Sequence, residues 1–186
     1  MHSSLDYTSR LAHGPFAPPQ EVCSGDNGDM RKRILGTHRS HAEPKSDYLW
    51  LDLEQIATVE VTSEDPAFPI ENVFSNSGSG WRASQKGEQQ IRILFDQPLS
   101  VHRIRLQFLE REIERTQEFS IRWSSAGGGP TKEIVRQQCN FSPAGSISEV
   151  EDYDVDLDAV SVLELIVKPD LSRGAAPATL ATWYVA

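Results

Sequence analysis

Apolar and polar residues alternate in three runs between Gln90 and Ser125. Ile91, Ile93 and Phe95 oppose Arg92. Ile104, Leu106 and Phe108 oppose Arg103, Arg105 and Gln107, and Phe119, Ile121 and Trp123 oppose Ser120, Arg122 and Ser124. Side chains on a strand point to alternate faces, so each run predicts a strand with one apolar and one wet face. Asp96-Gln97-Pro98 predicts a short turn between the first two, because proline presets a turn dihedral and cannot donate to a ladder. Three strands so closely spaced predict an antiparallel sheet, and its apolar face requires a second layer.

The rest of the chain extends this pattern. Ala57–Thr62, Lys132–Gln138, Glu149–Leu157, Val160–Val167 and Leu180–Val185 read as further strands, the third with Val150, Tyr153, Val155 and Leu157 alternating imperfectly with acids. Single turns of helix are expected at Leu51–Ile56 and Ile70–Phe74. Ser63–Trp81 is a long loop carrying two prolines and a Ser/Asn/Gly tract, and loops of that length are functional or wrapped on the core. Gly127–Pro130, Cys139–Ser148 and Pro169–Pro177 read as the other loops. About eight strands with little helix predict an all-β, two-sheet antiparallel sandwich over residues 48–186, with a closed barrel as the alternative. Residues 1–47 are polar and without period, and are expected to form a disordered or loosely packed tail.

Charge changes the picture. Residues 1–47 hold six Lys/Arg and six Asp/Glu, whereas 48–186 hold 12 and 21, so the net −9 of this 186-residue chain falls on the predicted domain. An acidic surface repels a phosphate backbone, which disfavours nucleic acid as a partner. The hydrophobic fraction of 38% and mean hydropathy of −0.43 agree with a polar segment beside the domain. The basic run Met30–Arg33 reads as solvated charge, as do His38 and His41 outside any helix. The two cysteines, Cys23 and Cys139, are not expected to pair, and no Cys/His spacing suggests zinc. The N-terminus shows no apolar signal region and no run long enough to span a membrane, so a cytoplasmic location is expected.

Catalytic patterns are missing. Glu112 and Glu114 sit within a mixed run, Glu110–Glu118, that reads as salt-linked surface rather than a glycosidase pair. His102 lies on a wet strand face with no nucleophile elbow nearby, and Gly127–Pro130 falls in a hairpin rather than before a helix. Asp152, Asp154, Asp156 and Asp158, at every second position, would line one strand face about 7 Å apart, which suits a solvated or edge-protecting face. The polar cluster with most chemistry is Arg136, Gln138 and Asn140 with Phe141: guanidinium and amides orient hydroxyls, and an aromatic ring supplies a stacking face. Arg115, and Trp81 with Arg82 after the Gly/Ser loop, complete the candidate ligand-binding set, although Trp81 reads first as a plug for the sandwich end.

Ser63–Trp123 resembles the discoidin domain, or coagulation factor 5/8 type C domain, of the galactose-binding-like jelly rolls. The resemblance rests on Pro69–Phe74 leading to Gly80–Ser84, then Gln89–Phe95 with Pro98, and Val101–Leu106; Ala178–Val185 is similar to the family's closing strand. It implies binding of sugars, phospholipid head groups or proteins through loops at one end, and a DNA-repair scaffold domain shares the fold. Ser75, Asn76 and Ser77 stand where calcium-binding relatives carry acids, so no calcium site and no cofactor are expected. The reading is a non-catalytic module for a carbohydrate or other small polar ligand. A protein-docking domain is the alternative, and DNA-nick or end binding through Arg92, Arg103, Arg105 and Arg122 is the third.

Overall fold

The computed structural model describes residues 49–75, 78–127 and 129–186. The expectations for the tail, Cys23, the basic run, His38 and His41, Asn76 and Ser77 lie outside them. Among the described residues, two single-turn helices, α1 (Leu53–Ile56) and α2 (Glu71–Phe74), accompany eight strands: β1 (Ala57–Val61), β2 (Trp81–Lys86), β3 (Gln89–Leu109), β4 (Arg115–Ser125), β5 (Lys132–Phe141), β6 (Ser148–Lys168), β7 (Pro177–Leu180) and β8 (Thr182–Val185). All pairings are antiparallel.

β3 and β6 each serve both layers. The first half of β3 lies between β1 and the second half of β6, which also pairs β4, and β4 pairs β5. The second half of β3 lies between β8 and the first half of β6. The layers face each other: Phe108 on β3 and Phe119 on β4, strands that share no ladder, have ring centroids 5.0 Å apart. Ile91, Ile93, Ile104, Leu106, Ile121, Leu163, Leu165 and Trp183 fill the space between them.

The expected turn at Asp96-Gln97-Pro98 is therefore a bulge within one strand. Leu94 pairs Val162 and Leu99 pairs Val160, so four residues of β3 stand opposite one of β6. Proline is tolerated there because the looped-out residues owe the ladder no N–H. β6 turns the same corner at Ala159, whose φ of 52° is left-handed. Glu149–Leu157 and Val160–Val167, expected as two strands, are the two arms of this one bent strand.

Two further expectations are corrected at single residues. Val150 is exposed and Glu151 is buried, reversing the start of β6. The Glu151 carboxylate accepts hydrogen bonds from Gln137 Nε2 and the Tyr153 hydroxyl, which offsets the cost of burying it. Burial still pushes its pKa up. Trp123 is half-buried at the rim rather than central, with the Lys132 ammonium 5.1 Å from its ring.

Candidate ligand-binding site

Strand register decides where the loops go. Gln89 pairs Val167, Glu118 pairs Lys168, Arg115 pairs Phe141 and Leu109 pairs Ser148, so the loops at 110–114, 142–147 and 169–176 gather at one end. The corners of β3 and β6 occupy the other end, where the strands turn from layer to layer. The β2–β7 ribbon belongs to the loop end, since Arg115 at the start of β4 touches both Pro177 and Thr179. Trp81 on β2 is 1% exposed and plugs this end, in keeping with the structural role read for it.

A cleft of about 480 Å³ opens beside the ribbon, between Phe68, Gly78, Ser79 and Arg82 on one side and Glu110–Ile113 on the other. The long loop before β2 builds the first wall. Its Asp65 N–H donates to the Arg82 carbonyl and the Arg82 N–H donates to the Phe68 carbonyl, fixing Phe68 beside Arg82. The Arg82 guanidinium then lies over the Phe68 ring at 4.3 Å. Gly80 brings this wall against β7: its φ is +65° and a Cβ there would meet the Leu180 carbonyl oxygen at 2.6 Å, so only glycine fits.

Arg115 holds the second wall. Its side chain is 1% exposed and ion-pairs with Glu110 at 3.2 Å. It donates to the Pro177 carbonyl and, at 3.0 Å, to the Thr179 hydroxyl. Glu110 Oε1 accepts the backbone N–H groups of Glu112 and Ile113 at 2.9 and 3.1 Å. One buried ion pair thus ties the 110–113 loop to the ribbon. Burial pulls the Arg115 guanidinium down from its usual value, and Glu110 pushes it back.

The seven candidate residues do not form one site. Trp81 and Arg82 border the cleft, and Arg115, Asn140 and Phe141 border a separate depression with Leu171 and Ser172. Strand alternation separates the β5 group: Arg136, Gln138 and Asn140 are exposed on the outer face, whereas Phe141 is 2% exposed and faces inward. Asn140 Oδ1 accepts from the Thr116 hydroxyl, and Gln138 donates to Glu118. Arg136 is held by Glu118 at 2.9 Å and Glu133 at 2.7 Å.

That outer face is a charge ladder. Glu60, Arg92, Glu164, Arg122 and Glu133 stand in register across five strands, each ion-paired to the next at 2.6 to 3.8 Å. On the other layer Arg103 makes two 2.7 Å hydrogen bonds to Asp152, which hold that carboxyl below its usual range. Asp156 lies 3.6 Å from His102, and Asp158 accepts from Ser100. The basic stripe considered for DNA is thus interleaved with carboxylates. Phe68 and Thr179 were not read as site residues, since Phe68 is placed against Arg82 by loop closure and Thr179 meets Arg115 across 64 residues. The visible cue to Glu110 was the mixed run at 110–118.

No family model and no curated protein matches the chain. Solved structures do. The family 32 carbohydrate-binding module of C. perfringens NanJ, in complex with galactose, superposes with a TM-score of 0.54 at 12% identity, covering 73% of this chain and 96% of that one. The fold is discoidin-like. The same kind of module from AlyQ, in complex with 4,5-unsaturated mannuronic acid, gives 0.54 at 17% identity over 75% and 98% of the two chains. Reduced XRCC1 bound to the DNA polymerase β catalytic domain gives 0.51 at 12%, covering 71% and 95%. Likeness at this identity establishes the discoidin-like architecture, which hosts unrelated ligands. Among the described residues, no group of three or more His, Cys, Asp or Glu is placed to hold a metal, and no helix is long and apolar enough to cross a membrane.

Proposed function

We propose that this discoidin-like domain is a non-catalytic module that binds a carbohydrate or related polyol in the cleft between Phe68–Arg82 and the 110–113 loop. The observation that carries this reading is the Arg82 guanidinium lying over Phe68 at 4.3 Å within a concave, loop-built wall. Stacking on a ring engages the faces of a guanidinium and leaves its in-plane N–H groups for ligand hydroxyls. Similar modules in complex with galactose and with an unsaturated mannuronic acid support a sugar. Arg82 is the contact kept from the seven candidates, Arg115 positions the wall, and Arg136 belongs to the charge ladder.

A glycan array followed by calorimetric titration of the best hit tests this. Arg82→Ala is expected to weaken binding roughly ten- to a hundredfold, the worth of one charge-assisted hydrogen bond. Arg136→Ala is expected to leave affinity unchanged. Loss through Arg136 with no loss through Arg82 would move the site to the outer face of β5.

A protein partner is the second reading, favoured by a separate patch. Leu49 is 89% and Trp50 38% exposed. The Trp50 ring lies 5.5 Å from Tyr184, and the Arg103 guanidinium lies 5.4 Å from it. Pull-down with and without Trp50→Ala separates that reading from the first.

A further inference from the structure

We propose that the ligand of the cleft is an acidic sugar, a glycan whose carboxylate is taken by Arg82 and Arg111; this rests on the carbohydrate reading of the cleft. The reason lies in how this acidic domain uses its arginines. Arg92, Arg103, Arg115, Arg122 and Arg136 each have a carboxylate oxygen within 4 Å. Of the four arginines with none among the described residues, Arg105 and Arg173 lie outside the cleft lining, whereas Arg82 and Arg111 both line it, and neither of these two side chains donates a hydrogen bond there.

For Arg82 this is unusual chemistry. The side chain is half-buried, with Phe68 against the guanidinium. A planar cation so placed is partly stripped of water while its fork of N–H donors has no acceptor among the described residues, and that fork matches a carboxylate. The acids in the lining do not supply one. Glu110 has its Oε2 on Arg115 and its Oε1 on two backbone N–H groups. Glu112 is exposed and is the one uncompensated negative charge against Arg82 and Arg111 in that lining. The cleft is therefore locally positive on a domain of net −9, where a bound anion would be repelled elsewhere.

The experiment is titration of the full chain with matched oligosaccharides differing only at C6: galacturonate against galactose, mannuronate against mannose and glucuronate against glucose. In the pair the protein recognises, the acid is expected to bind roughly ten- to a hundredfold tighter, less so as salt is raised. Arg111→Gln should shrink that advantage while leaving binding of the neutral sugar in place, Arg82→Gln should shrink it while also weakening the neutral sugar, and Glu112→Gln should enlarge it. Arg111 is exposed on its loop, so its variant keeps the test valid should Arg82→Gln fold poorly. Equal affinity for acid and neutral members, or a preference that survives in both arginine variants, overturns the acidic-sugar inference and leaves the polyol reading standing. Binding of no sugar of either kind overturns the polyol reading itself.

Discussion

Arg115 ties the loop end together. It joins β4, the 110–113 loop and the β2–β7 ribbon from a buried position, and the Glu110 carboxylate beside it is nearly as inaccessible. Truncating one partner of such a pair strands the other charge away from water. Arg115→Ala is expected to lower stability by about 3–5 kcal/mol in urea denaturation, against little change for Arg111→Ala. Glu118 offers a pH test. Hydrogen bonds from Lys168 first, then Gln138 and Arg136, hold its pKa down at about 2 from an ordinary 4.5. A depressed carboxylate contributes stability that is full above the unfolded pKa and disappears as pH falls through the folded one. Acid titration of the melting midpoint should accordingly show a decline between about 4.5 and 2 that Glu118→Gln flattens.

Corners are the distinctive elements here, because β3 and β6 each change layers without breaking. A bulge around Pro98 turns β3, and one left-handed residue, Ala159 at φ 52°, turns β6. An L-residue pays roughly 1–2 kcal/mol for that conformation, which glycine adopts freely at some cost in chain entropy. Ala159→Gly is therefore expected to raise stability by a few tenths to about 1 kcal/mol. Ala159→Val, β-branched and more strained, should lower it. Matched thermal or chemical melts of the two variants check the sign.

For the whole molecule, charge and core are separately arranged. The ladder from Glu60 to Glu133 pairs cations with anions across the outer face of one layer, and the Asp152–Arg103 pair continues that neutralisation on the other. Phosphate binding needs cations free to release counterions, so nicked and intact duplex DNA are both expected to leave the protein's mobility unchanged at physiological salt. The polar composition of residues 1–47 predicts that they add little to the stability of the domain. A chain beginning at Ser46 should melt within about 3 °C of the full protein, and a larger drop would show packing against the sandwich.

Alternation determined the two arms of β3, the inward Phe119 and Ile121 of β4 and the sandwich, because a period-two pattern admits one buried face per strand, but it showed neither β2 and β7 nor the inward Glu151. The short helical turns were also legible, from Leu53–Ile56 and Glu71–Phe74 flanked by strand and loop residues. Alternation is blind to continuity. Pro98 looked like a turn because proline is excluded from a regular ladder, and only the pairing of Leu94 and Leu99 with Val162 and Val160 reveals a bulge within one bent strand. Side-chain chemistry marked Arg136, Gln138 and Asn140 as a recognition cluster, yet Glu118 and Glu133 occupy Arg136, and cross-strand register brought them there. The candidate cleft needed tertiary structure altogether. Phe68 meets Arg82, and Arg115 reaches the Pro177 carbonyl and the Thr179 hydroxyl across 62 and 64 residues, through closure of segments whose own sequences encode no partner.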